Sequence, residues 1–227
     1  MNSPSTHELA FSAADGWPLG AVWHRPTSDA DVPAVVTVAG SRHERDAWKR
    51  TCDFLAQHGV ATLMLDIRGR GASRGGCTYA RMGPGQRRRV RFDVARALEV
   101  VAEQPGVDPD RLGVLAEQDT AAEAVEAAAG CDGVLAVCLV SPRHAGRVAA
   151  ALDIRPVSVL ALASTEDREG VRAAVDAYLA SAPEGSDLAV FSGLGIGITM
   201  ASVLQFEQPE AEPLEDRIAR WLADRLS

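Results

Sequence analysis

Six short, almost uninterrupted apolar runs divide the chain: 34–40 (AVVTVAG), 61–66 (ATLMLD), 112–116 (LGVLA), 134–140 (VLAVCLV), 157–163 (VSVLALA) and 188–191 (LAVF). A strand with one wet face would alternate apolar and polar residues, and a membrane span would be about three times as long. Runs of this kind fit strands covered on both faces. Segments near 44–58, 86–104, 120–129, 168–182 and 213–226 carry helical spacing and supply the cover. Strand and helix in turn predict an α/β fold with a mostly parallel sheet and helices on both faces. Two earlier runs, 7–12 and 19–24, meet at Asp15 and Gly16 and predict an antiparallel hairpin on the sheet's edge, which makes eight strands. Between 140 and 157 there is room for one short helix, so no large lid is expected. The 227 residues suit a single α/β domain spanning 1–227.

Charge and cysteine usage narrow the partners. A formal net charge of −8 argues against nucleic acid as the main ligand. No stretch is long and apolar enough for a membrane span, and MNSPSTHELAF at the start lacks the basic residues and apolar core of a secretory signal. Cys52, Cys77, Cys131 and Cys138 show no CxxC spacing, which points to a reduced, cytoplasmic protein without a zinc site or disulfide framework. No H-x-x-x-H or H-x-E pattern suggests a metal, and no motif calls for a cofactor. Arginine outnumbers lysine 22 to 1, the usage of a GC-rich genome.

In an open parallel sheet, ligands sit beyond the carboxyl ends of the strands. The informative stretches are therefore 41–46, 66–76, 117–120, 141–144, 164–167 and 192–198. These junctions resemble the α/β-hydrolase family along nearly the whole chain. Residues 39–48 (AGSRHERDAW) look like its first oxyanion loop, and 66–73 (DIRGRGAS) is similar to its D-x-R-G-x-G-x-S turn. Residues 104–113 (QPGVDPDRLG) resemble the approach to the nucleophile strand, and 193–195 (GLG) the turn before the catalytic histidine.

The resemblance implies a G-x-S-x-G turn after the strand ending at Leu115, but 116–120 read AEQDT. Gln118 takes the nucleophile's place, and an amide is not an ordinary nucleophile. Ile196 takes the place of the histidine, while Asp167 or Glu166 keeps the acid position. Ala116 and Thr120 replace the flanking glycines, and Thr120 with Glu123 fits a capping box, so a plain capped helix start is expected instead of a strained elbow. Glu117 and Asp119 then read as carboxylates at a helix start, favoured by its dipole.

A remodelled chemistry could still use the same rim. Glu117, Gln118, Asp119, His43 and Asp167 are the candidate catalytic residues, with Ser41, Arg42 and Ile196 as oxyanion and pocket residues. Of the histidines, His43 in the first oxyanion loop is favoured over His144; His7 and His24 belong to the edge hairpin and His58 to a helix end. Asp119 as a nucleophile would lack both flanking glycines and a base. Eight arginines between 68 and 91 reverse the local charge: they form either a site for an anionic ligand or a solvated face paired with acids. Cys77 reads as incidental. The expected function is an enzyme without the Ser-His-Asp triad, working on a small molecule by acid–base or oxyanion-type catalysis. A non-catalytic binder or partner subunit is the alternative, and an esterase with a displaced catalytic residue the third. A lidless pocket is open, or is covered by a second copy in a homodimer.

Overall fold

The computed structural model of the protein describes residues 5–182 and 184–227. Eight strands form one sheet: β1 (Ser5–Ser12), β2 (Pro18–Arg25), β3 (Val32–Val38), β4 (Ala61–Asp66), β5 (Val107–Glu117), β6 (Val134–Val140), β7 (Ser158–Ser164) and β8 (Asp187–Phe191), in the order β1-β2-β4-β3-β5-β6-β7-β8. β1 pairs antiparallel with β2 through a turn at Gly16, and β2 antiparallel with β4; every later pair is parallel. The helices are α1 (Lys49–Gln57), α2 (Pro84–Arg87), α3 (Val90–Ala102), α4 (Ala121–Ala128), α5 (Ala145–Ile154), α6 (Arg168–Ala180), α7 (Thr199–Glu207) and α8 (Leu214–Arg225).

The continuous apolar runs are explained by two cores, one on each side of the sheet. Val114 and Ala116, Val137 and Leu139, and Val159 and Ala161 face α3 to α6. Their neighbours Leu115, Cys138 and Leu160 face α1, α7 and α8. On α8, Leu214, Ile218 and Leu222 recur at every fourth position and are all buried, which is the stripe a helix needs to lie on a sheet. Each such side chain contributes roughly 1.5–3 kcal/mol.

The turn after β4 is held by its own side chains. Asp66 accepts from Ala72 N at 3.0 Å and from the Arg45 guanidinium at 2.8 Å, and Ser73 Oγ donates to Asp66 O at 2.6 Å. A Cβ on Gly71 would lie 2.2 Å from Asp66 Oδ2, so the motif needs a glycine there. Arg68 is buried between Asp93 of α3 and Asp15 of the hairpin, at 2.6 and 2.8 Å. The connection from β6 to β7 contains only α5, as its length predicts. α7 is an addition to the helices expected from spacing.

Candidate active site

Five strand ends meet at the carboxyl rim of the sheet around an open cleft of about 760 Å³. β3 delivers Ser41, Arg42 and His43; β5 delivers Gln118 and Asp119; β6 delivers Arg143 and His144. α6 adds Glu169, and the loop after β8 adds Ile196.

The backbone at the end of β5 departs from the expected plain helix start. Gln118 has φ +49°, a left-handed conformation that costs a non-glycine residue about 1–3 kcal/mol. The elbow is therefore strained even though Ala116 and Thr120 stand where glycines were expected. The capping box is absent: Thr120 makes no side-chain cap to α4, and its hydroxyl turns back to Glu117 O at 2.7 Å and Ala39 O at 3.3 Å. The first closes the elbow on itself and the second ties it to the end of β3, so the hydroxyl is used up away from α4.

Glu117 does not serve the helix dipole. It ends β5 pointing into the protein, fully buried, and four donors meet on its two oxygens. Oε2 accepts from Gly40 N at 3.0 Å and from His43 Nδ1 at 3.1 Å, while Oε1 accepts from Ile198 N at 2.9 Å and Gln118 Nε2 at 3.3 Å. A buried carboxylate tolerates its site only with such partners. The loop after β8 is shaped around it: Gly197 has φ +65°, and a Cβ there would sit 2.1 Å from Glu117 Oε1.

This contact sets the state of His43. With Glu117 accepting throughout, the network assigns the proton of a neutral His43 to Nδ1, which leaves Nε2 as an acceptor. His43 is 28% exposed while its partner is 0% exposed, so the pair has one end in the core and the other in the cleft. Among the described residues no serine, threonine or cysteine hydrogen-bonds to the His43 ring; the one hydroxyl–imidazole contact is Thr6 to His24 on the edge hairpin, at 2.7 Å.

Asp119 occupies the first oxyanion loop from within. Its Oδ1 accepts from Ser41 N at 3.0 Å and its Oδ2 from the Tyr79 hydroxyl at 3.3 Å. Burial, with the Asp119 and Glu123 charges beside it, pushes the Tyr79 phenol well above its ordinary range and keeps it a donor. Asp167, one of the two residues expected at the acid position, caps α6 by accepting from Gly170 N at 3.0 Å and pairs with Arg143. Its partner is thus a guanidinium and no histidine. Ile196 lines the cleft, with its amide on Thr199 Oγ1 at 3.2 Å.

The structure brings His43, Glu117, Gln118 and Asp119 together, with Ser41, Arg42 and Ile196 around them. Asp167 stands behind Arg143 and is absent from the cleft lining. Arg143 and Tyr79 escaped the sequence reading: Arg143 lay within a marked junction but without a motif, and Tyr79 had no signal. His7 is exposed, and His58 ends α1 in contact with Asp216 at 3.0 Å. Among the described residues no three His, Cys, Asp or Glu side chains gather as a metal site, and no helix is long and apolar enough to cross a membrane.

Sheet order, paired cores and the elbow after β5 define an α/β-hydrolase. Solved structures agree: a dienelactone hydrolase from Anabaena variabilis superposes with a TM-score of 0.75 at 17% identity, covering 99% of this chain and 97% of that one. Acetyl xylan esterase 1 from Thermoanaerobacterium gives 0.73 at 16%, covering 100% and 85%. The Pyrococcus furiosus esterase Pf2001 gives 0.73 at 14%, covering 99% and 92%. At such identities the likeness is one of fold. Residues 2–143 match the profile of the acetyl xylan esterase (AXE1) family, and the chain belongs to that family. No curated protein matches its sequence.

Proposed function

We propose that this chain is a proton-transfer enzyme on an esterase scaffold, in which His43 is the general base and Glu117 its orienting partner. One observation carries the reading: a histidine that lines the cleft is bonded at Nδ1 to a buried carboxylate, which leaves Nε2 free to accept. His43 takes a proton from a bound small molecule and returns it elsewhere on the same molecule or to a leaving group, as in an isomerisation, elimination or cyclisation. Glu117 stabilises the imidazolium formed on the way. Arg143, held by Asp167, lines the same cleft as a fixed positive charge.

An acyl-enzyme route is disfavoured on two counts. Gln118 at the elbow carries no attacking hydroxyl, and the amides of Gly40 and Ser41 already donate to Glu117 and Asp119. The second of these facts also favours another reading, a non-catalytic binder whose old oxyanion loop is filled by its own carboxylates. An esterase with a displaced residue would need a hydroxyl at His43, and among the described residues none is hydrogen-bonded to its ring.

The two leading readings separate in one experiment. A mixture of small metabolites is incubated with the protein, and depletion is followed by mass spectrometry. At least one compound is expected to be consumed, and His43→Ala is expected to slow that turnover by about 10²–10⁴-fold, the usual weight of a positioned base. Glu117→Gln should follow it in the same direction. Unchanged consumption by His43→Ala overturns the assignment, and no consumption alongside a ligand-induced rise in Tm establishes the binder.

Four free cysteines support a reducing, cytoplasmic setting. Edge strand β8, with Val190 43% exposed, offers an unpaired backbone row to a second copy and supports a homodimer.

A further inference from the structure

Guanidiniums without a carboxylate partner among the described residues stand around the cleft, and their placement bears on what the cleft holds. Its acids are largely spoken for: Glu169 lies 3.7 Å from Arg143, and in an adjoining hollow Glu123 lies 2.7 Å from Arg147. Asp119 is held by two neutral donors, Ser41 N and the Tyr79 hydroxyl. The guanidiniums of Arg42, Arg87 and Arg88 are exposed and have no carboxylate partner among the described residues.

Arg87 is also held in place. Its guanidinium lies 5.1 Å from the centre of the Tyr79 ring, within cation–π range, and donates to Ala80 O at 3.2 Å. The Tyr79 hydroxyl is in turn fixed on Asp119 beside the elbow. Arg87 is thereby tied to the site through one aromatic side chain, while Arg42 approaches from the loop that carries His43. Both arginines line the cleft, and a planar guanidinium is a fork for an oxyanion, which it binds through paired N–H donors.

We infer that the cleft beside His43 recognises its small-molecule substrate by an anionic substituent, phosphoryl or carboxylate, gripped between Arg42 and Arg87. The inference rests on the cleft being a substrate site, and it divides the arginine-rich stretch: Arg68 is structural, and Arg87 faces the ligand.

The test reads binding, so it stands apart from turnover. The protein is titrated at low ionic strength with inorganic phosphate and, separately, with succinate, by calorimetry and by Tm. Saturable binding of at least one anion is expected, weakened about tenfold by Arg42→Gln or Arg87→Gln, since each removes a charge-assisted contact. The tighter of the two anions identifies the substituent. Arg96→Gln, on α3 and paired with Glu99 at 2.8 Å, should leave the affinity unchanged. The readout is binding and needs no turnover, so a failed base assignment leaves this result standing. The inference is overturned if neither anion binds, if Arg42→Gln and Arg87→Gln change nothing, or if Arg96→Gln weakens binding as much as Arg87→Gln does.

Discussion

Gln118 sits at φ +49° with its amide on Glu117, so a strained turn at the end of β5 presents an amide. Restoring the hydroxyl alone should restore nothing. A Gln118→Ser variant is expected to hydrolyse an activated ester such as p-nitrophenyl acetate no faster than wild type and without a burst, because Ile196 supplies no base and Asp167 is committed to Arg143. A burst in that variant would mean that His43 can reach residue 118. Glu166 makes a separate prediction. The Ser164 hydroxyl and backbone amides, Gly193 N among them, hold its carboxyl down at about 2, against 4.5 for an unperturbed one. A depressed carboxylate stabilises the fold fully above pH 4.5, and that contribution is lost as pH falls toward about 2. Melting curves over this window should be steeper in pH for wild type than for Glu166→Gln; equal slopes would remove Glu166 from the acid limb.

At the scale of elements, the turn after β4 joins hairpin, sheet and α3 through one buried cation. Arg68→Met leaves Asp93 buried without its partner, and such a loss costs about 3–5 kcal/mol. Denaturant unfolding should show it, and a loss under 1 kcal/mol would mean that Asp93 finds another donor or a proton. Elements also mark where the sequence was readable. Strands β3 to β7 were legible because residues buried on both faces leave continuous apolar runs, whatever their partners; β8, a half-buried edge strand, kept only the short run 188–191. The hairpin was legible from Asp15 and Gly16. α7 was not: it follows the glycine-rich 193–197, and its apolar residues form no clean stripe, with Phe206 88% exposed. The elbow misled because Thr120 and Glu123 have the right spacing for a cap, while the Thr120 hydroxyl turns back to Glu117 and to Ala39, the latter 81 residues away. Glu117 was visible as a rim residue but not as the partner of His43, since a separation of 74 residues carries no local trace.

For the molecule as a whole, one buried carboxylate ties three loops of the rim together: the first oxyanion loop through Gly40 and His43, the elbow through Gln118, and the β8–α7 loop through Ile198. This member of the acetyl xylan esterase family thus carries a histidine–carboxylate pair that joins the loop after β3 to the end of β5. The proton position on His43 tests this most directly. Nitrogen-15 spectra of histidine-labelled protein, with the His43 signals assigned by their loss in His43→Gln, report which ring nitrogen bears the proton in the neutral form. The expected result is Nδ1–H with a bare Nε2, the minor tautomer of free imidazole side chains in water. A neutral His43 carrying its proton on Nε2 would contradict the account, because Glu117 would then not hold the ring and the cleft would face no base.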